Sequence, residues 1–404
     1  MNFFSKELSP YRRKQRLSRL LGVVAILSIL IAWGVGLYLA KADLMPAVRQ
    51  AIPQAGKFEQ KSSDVYAAYA SGSGEELIGY VALGEASGYG GPMTVAVAVY
   101  PSGDIRKVVI ADHRETPAWM KDIKNSDFLT SLTGKEYSDA FQVGEDVDAV
   151  TGATTSSKAI AQAVLTGSRK AAQVMGLAVE APPAPRVQFG IPEVTVILLF
   201  GVGFFAHQRR FKRKKLVRWG SMLAGMFILG FIYNSPLTLA YINKFLMGFW
   251  PQWQTHLYWY ILIGGILFVY TIENKNPYCQ WFCPFGAAQE VMGVVGGAKV
   301  YSPRQFRTLL SWIQRGLAWV AIILALLFRN PGMTSFEIFG SLFSLTGSNI
   351  QFVLLGLVLV ASMFIKRPWC TYLCPLDPVT DFIKMMRKWI IELWQEKIMT
   401  SSAK

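Results

Sequence analysis

Six stretches of the chain run almost without interruption by polar residues, at about 20–40, 191–206, 216–234, 255–272, 307–328 and 350–366. Each comes near the ~17–25 residues with which an α-helix crosses a bilayer, the second only marginally. Between the first two runs the pattern shortens to that of strands. Leu77–Leu83 and Met93–Tyr100 read as strands, and Pro101-Ser102-Gly103-Asp104 reads as a hairpin turn into a third strand, Ile105–Ile110. Near Ser156 the period becomes helical, with Ile160, Val164 and later Val174 on one face. The expected fold is therefore a membrane protein of six transmembrane helices with an inserted α+β domain of about 100 residues, enough for its own core.

The predicted order is a basic tail over 1–19, an anchor over 20–40, a polar linker over 41–75 and the α+β domain over 76–178. A Pro-rich linker over 179–190, containing Ala181-Pro182-Pro183-Ala184-Pro185, leads to a five-helix membrane domain over 191–390 and a tail over 391–404. Ala40-Lys41-Ala42 resembles a signal-peptide cleavage site, but the preceding run is too long for a signal core and is read as a retained anchor.

Charge sets the orientation. With 52% apolar and 17% charged residues, the composition is neither that of an ordinary soluble protein nor that of a disordered one. The net charge of +15 would fit a nucleic-acid binder, but the basic residues gather at the ends of apolar runs and form no face or stripe. Residues 1–19 carry Lys6, Arg12, Arg13, Lys14, Arg16 and Arg19 against Glu7, and the loop from His207 to Arg218 carries seven positive charges. The loops around 235–254 and 329–349 have only Lys244 and Arg329 as basic residues. By the positive-inside rule both termini face the cytoplasm and the α+β domain lies outside, in the periplasm or beyond, as in an inner-membrane protein.

All four cysteines fall in two copies of one motif, Tyr278-Cys279-Gln280-Trp281-Phe282-Cys283-Pro284 and Trp369-Cys370-Thr371-Tyr372-Leu373-Cys374-Pro375. Cys279 to Cys370 and Cys283 to Cys374 are the same 91 residues apart, which marks an internal repeat. Four thiolates on the predicted cytoplasmic side suit a shared soft metal or cluster better than disulfides. Pro284 and Pro375 are expected at the first positions of helices capped by Cys283 and Cys374, aiming free N–H groups at the sulfurs. A structural zinc, a redox-active dithiol and an iron–sulfur centre all remain compatible with the residues.

The run Asp148-Ala149-Val150-Thr151-Gly152-Ala153-Thr154-Thr155-Ser156 fits Asp-x-x-Ser/Thr-Gly-Ala-Thr at every position. It resembles the covalent-flavin site of the FMN-binding domains in RnfG and NqrC subunits and in NosR-type membrane flavoproteins. That resemblance implies that a separate flavin transferase joins FMN through its phosphate to the Thr154 hydroxyl, with Asp148, Thr151, Gly152, Ala153 and Thr155 around the attachment. Glu115-Thr116-Pro117 is similar to the segment that lines the isoalloxazine in that family, with Ala118 where Gly is usual, and Gly88-Tyr89-Gly90-Gly91-Pro92 resembles the glycine turn that admits the ring. Read without the resemblance, the Thr/Ser run is a helix N-cap region and no more.

The same NosR-type resemblance covers the two cysteine motifs, and it implies an iron–sulfur cluster held by Cys279, Cys283, Cys370 and Cys374, [4Fe–4S] ahead of [2Fe–2S]. Larger members continue into a soluble ferredoxin domain, whereas the 30 residues after Cys374 contain no Cys. The expected cytoplasmic or membrane redox partner is accordingly a separate protein. His207 and His256 are assigned to opposite membrane faces, which disfavours a bis-His haem. Trp250, Trp253, Tyr258, Trp259 and Tyr260 read as an interfacial belt.

The expectation is a one-chain transmembrane electron carrier between an outer FMN and an inner cluster. Its alternatives are a redox-sensing regulator without steady flux and a ligand-binding module on a membrane base. No third cofactor site is visible to bridge the ~30 Å hydrocarbon layer, so a swinging domain, a more deeply buried cluster or a partner is expected to close the gap. Acidic residues are nearly absent from the apolar runs, which disfavours ion pumping by this chain alone.

Overall fold

The computed structural model describes residues 10–40, 43–72, 76–115, 117–150, 154–179, 187–207, 213–273, 276–300, 306–332, 336–345 and 347–402. Helix α1 (Pro10–Leu39) is followed by α2 (Met45–Ala51) and by five strands, β1 (Ala55–Ser62), β2 (Val65–Ala70), β3 (Leu77–Ser87), β4 (Pro92–Val99) and β5 (Ile105–Asp112). Then come α3 (Pro117–Asn125), α4 (Phe128–Ser131) and α5 (Thr154–Val174). The strands form one antiparallel sheet in sequence order.

Strand β4 explains why its sequence does not simply alternate. Both of its faces are buried, and they are packed differently. Val95, Val97 and Val99 join the core beneath α5, while Ala96 and Ala98 join a second core beneath α2. A helix lies on each side, so every position is apolar except Thr94, and the smaller side chains let α2 come close. On the other face α5 reaches the sheet backbone itself. A Cβ on Gly167 of α5 would meet Val97 Cγ2 at 3.0 Å and Gly84 N at 3.2 Å.

The expected linker over 41–75 is corrected by this sheet, because α2, β1 and β2 are integral to the domain. Strand β1 is an edge strand exposed along most of its length, so it lacks the alternation that marks a half-buried strand. The Pro-rich linker falls largely outside the described residues.

The second half begins with α6 (Ile191–His207) and α7 (Lys214–Ala224), which continues as a π-helix over Gly225–Ile232. It proceeds through α8 (Leu239–Met247), α9 (Leu257–Glu273), a π-helical turn at Tyr278–Phe282, and α10 (Pro284–Gly296). The remaining helices are α11 (Arg307–Phe328), α12 (Phe339–Phe343), α13 (Asn349–Phe364), α14 (Pro368–Tyr372) and α15 (Leu376–Ser402). The repeat seen in the cysteines extends to the architecture. In each copy a long helix leads to a short one, then to an apolar helix, a cysteine turn and a closing helix. The copies meet where Gly293 and Gly296 of α10 let its backbone approach that of α13 at Ser362 and Met363.

Among the described residues, three helical stretches are long and apolar enough to cross a membrane: Arg16–Leu39, Lys214–Ile232 and Thr308–Phe328. Ile191–Ala206, Leu257–Glu273 and Asn349–Phe364 are shorter apolar helices. Helix α1 packs on α11, with Trp319 Nε1 donating to Ser28 Oγ at 3.0 Å, and Arg19 pairs with Glu392 of α15 at 2.6 Å. The expected break at 390 is absent, since α15 runs on to Ser402. The aromatic belt also needs correction. Trp250 and Trp253 are exposed, but Tyr258 and Trp259 are buried, and Tyr258 belongs to the main core of this half.

Candidate functional site

All four cysteines line one cavity of ≈ 60 Å³, together with Phe285, Phe339, Arg367, Trp369, Leu376 and Asp377. None is in a disulfide. Cys283 has extended backbone angles (φ −60, ψ 118) and caps α10, with Pro284 at the first helical position, as expected. In the second copy Pro375 lies before the helix, which starts at Leu376, so the cap is one residue looser than the expected Pro375 start.

Every sulfur faces an N–H group. Asn276 Nδ2 donates to Cys279 Sγ at 3.1 Å, and Gln289 Nε2 to Cys370 Sγ at 3.3 Å. Backbone N–H groups of Phe285 and Gly286 face Cys283, and that of Leu376 faces Cys374. Gln289 also accepts from Trp369 N at 3.0 Å, so one side chain of the first copy braces the second. Arg367 adds positive charge near the thiols. It pairs with Glu290 at 2.7 Å and donates to Cys279 O at 2.8 Å, while Arg218 pairs with the same Glu290.

This donor set suits a bound anion. Burial pushes the free thiols up, Cys370 to about 12, so as an uncomplexed dithiol the site would be neutral and a poor nucleophile. Four thiols around one cavity, each met by an N–H donor, could hold an iron–sulfur cluster with one thiolate on each corner.

The flavin-like motif is only partly described. Thr151, Gly152 and Ala153 lie outside the described residues, as does Thr116. Thr154 opens α5, two residues ahead of the expected Ser156, and Pro117 opens α3. Asp148 and Thr155 are exposed. Glu115 is the best-defined member, with 1% of its surface exposed. It accepts from Gly90 N at 2.9 Å and from Ser156 Oγ at 2.5 Å, tying the glycine turn to the first turn of α5. A Cβ on Gly88 would collide with the Glu115 carboxylate and one on Gly90 with the Arg114 carbonyl, so these two glycines are required by close approach. Three of the stretches picked out in sequence are thus drawn together. Ser156 belongs to the motif, but its role in holding Glu115 has no signal in the sequence.

A swinging domain is one expected way to close the gap; instead, the glycine turn is docked on the membrane half. Lys244 of α8 donates to Gly88 O at 3.4 Å and lies over the Tyr89 ring, 5.4 Å from its centre. Phe249 packs on Gly91, and Arg329 lies over the Phe249 ring at 4.7 Å. Helix α8 is itself pinned, because both carboxylate oxygens of buried Glu337 accept from Leu239 N at 2.9 Å. From the cysteine side, Tyr278 lies against Cys283, and its hydroxyl accepts from Leu237 N at 2.7 Å. Thr238, the next residue, meets the Tyr89 phenol.

A flavin-type domain resting on a four-cysteine membrane half defines a class, that of membrane redox proteins, and comparison with known proteins gives the particulars. Residues 88–167 match the FMN-binding domain, and residues 255–303 and 351–392 match the 4Fe-4S binding domain. The chain is 30% identical to Protein NirI of Paracoccus denitrificans over 45% of its length and 28% of the relative's. It is 35% identical to a component of the proton-translocating ferredoxin:NAD(+) oxidoreductase complex of Clostridium ljungdahlii, over 24% of this chain and 55% of that one. Regulatory protein NosR of Pseudomonas aeruginosa is 26% identical over 47% of this chain and 28% of its own. The chain thus spans between 28% and 55% of the length of these relatives. It carries an FMN-binding domain and a 4Fe-4S binding domain, a combination consistent with a NosR-type flavoprotein.

Proposed function

We propose that the protein transfers electrons across the inner membrane between an FMN esterified to Thr154 on the outer side and a [4Fe–4S] cluster on the inner side. The observation that carries this reading is the contact between the two halves: the glycine turn of the flavin-type domain rests on the same bundle that holds the four-cysteine cavity. Bound FMN would supply a carrier of one or two electrons and the cluster a carrier of one.

The chain's own residues do the rest. Glu115 and Ser156 hold the glycine turn against the start of α5, whose free N–H groups suit a phosphodiester. The donors at each sulfur favour the anionic cluster, and the apolar side chains of Phe285, Phe339, Trp369 and Leu376 around the cavity keep water from it. Between the sites, Tyr278 is hydrogen-bonded to Leu237, and the next residue, Thr238, lies beside Tyr89, a packed route from one site towards the other. In this reading the chain crosses the bilayer six times with both termini inside. A flavin transferase loads the outer domain, and a separate ferredoxin-like or membrane partner meets the inner cluster.

A second reading is favoured by one observation, the similarity to a relative named as a regulatory protein. There the redox state would signal without steady flux. Proteoliposomes with an electron donor inside and an impermeant dye outside separate the two. Many dye molecules reduced per protein, lost in Thr154→Ala and in Cys370→Ala, support the carrier. A single turnover supports the sensor, and colourless, iron-free protein defeats both.

A further inference from the structure

We propose that Lys244, contributed by the membrane half, completes the flavin site by placing one positive charge against the glycine turn, where it favours the electron-rich form of the bound flavin. This rests on the reading of residues 88–167 as an FMN site. Lys244 is 156 residues from the glycine turn in sequence, yet it donates to Gly88 O at 3.4 Å and covers the Tyr89 ring at 5.4 Å.

The surroundings argue for a placed charge rather than a chance contact. Helix α8 is short, but both ends are fixed. Glu337 holds its first N–H, and Gly248 ends it with a left-handed φ of 77°, turning Phe249 back onto Gly91. Lys244 sits in its last turn, where a cation also suits the helix dipole. Two carboxylates act on the turn: Glu115, whose oxygens are taken by Gly90 N and Ser156 Oγ, and Glu337, held by Leu239 N, while the nearby Arg114 is paired with Asp112 at 2.6 Å. From the membrane half, His256 also faces Lys244, and Tyr241 lies near the Tyr89 phenol that Lys244 covers. Burial lowers the Lys244 pKa to about 8, with Glu115 opposing the shift, so the side chain is still charged at neutral pH. Reduction of a flavin adds negative charge, and a cation in a low-dielectric wall favours that state.

A purely structural latch would make the same contacts. The two differ in what they do to the flavin's midpoint potential. Spectroelectrochemical titration of the purified full chain at pH 7 compares wild type with Lys244→Met, which keeps length and loses charge, and with Lys244→Arg. The expected result is at least a tenfold fall in the reduced-to-oxidised flavin ratio at a fixed potential in the Met variant. That is a shift of about −30 mV for a two-electron couple. Lys244→Arg should restore it, with the cluster's EPR signal unchanged throughout. Lys244→Gln replaces the Met variant if that fails to assemble. An unchanged potential in the charge-free variant, with its flavin in place, overturns the proposal and leaves the FMN reading standing. Absence of flavin from wild type overturns the FMN reading itself.

Discussion

Replacing Glu115 by Ala should loosen the glycine turn and leave the rest of the sheet intact. The carboxylate is almost fully buried and accepts two hydrogen bonds, from Gly90 N at 2.9 Å and Ser156 Oγ at 2.5 Å. Removing it strands both donors. A buried donor without a partner costs about 1–3 kcal/mol, but the Ser156 hydroxyl can rotate toward another acceptor, so the pair is worth about 2–4 kcal/mol. That corresponds to a rise of roughly 30-fold to 1,000-fold in local opening. Hydrogen–deuterium exchange of peptides covering residues 88–92 reads the change directly, with β2 and β3 as internal controls. Glu115→Gln should fall between the two, because one carbonyl oxygen remains while its NH₂ faces a donor. If exchange in the turn is the same in all three proteins, Glu115 does not pin the turn and the account of the site is wrong.

Gln289→Leu removes the N–H at Cys370 Sγ and the acceptor for Trp369 N, so the cluster should become harder to reduce and quicker to lose iron, measured by redox-poised EPR and iron release. Gly84→Ala drives a methyl into the α5 backbone at Ala163 and should destabilise the flavin-type domain by about 1–3 kcal/mol or more, read as a lower urea midpoint for that domain. Because burial lowers the Lys244 pKa to about 8 and the unfolded value is about 10.4, the unfolded chain binds the extra proton between these limits. Stability should therefore rise with pH across that window, and urea titrations of Lys244→Met should not show this contribution. Tyr278→Phe removes the hydroxyl that accepts from Leu237 N, and flash reduction should reveal slower flavin-to-cluster transfer with both cofactor spectra unchanged.

The cysteine site was legible because its chemistry demands one residue type at fixed spacing, and a repeat of 91 residues cannot hide four such positions. What the sequence concealed were the partners that hold them. Gln289 reaches Cys370 from the other copy, and Arg367 stands at the repeat position of Asn276 yet does a different job, pairing with Glu290. Contacts of that kind depend on how two copies pack, and no local pattern records them. The edge strand β1 escaped for the opposite reason: its exposure leaves no apolar alternation to read. Over most of its length helix α9 has no polar face to show which side meets lipid, so its Tyr258 and Trp259 could not be told from the exposed Trp250 and Trp253 of the preceding loop.

The two copies also explain why the candidate sites need not behave independently. The cysteine cavity exists only when the copies are packed, since each supplies two thiols. That same packing sets Glu337 of the second copy against the start of α8 in the first. Helix α8 then carries Lys244 to Gly88, while Tyr278, beside Cys279, fixes Leu237 just ahead of the helix. The connection runs from Cys279 and Tyr278 through Leu237 and α8 to Lys244, Gly88, Glu115 and Ser156, and each step is a covalent link or a close polar contact. Loosening the cysteine end should weaken the hold of α8 on the glycine turn. Loosening the turn by Glu115→Ala has no matching lever on the cavity, because Glu337 and Tyr278 hold α8 from the membrane side whether or not the turn is docked.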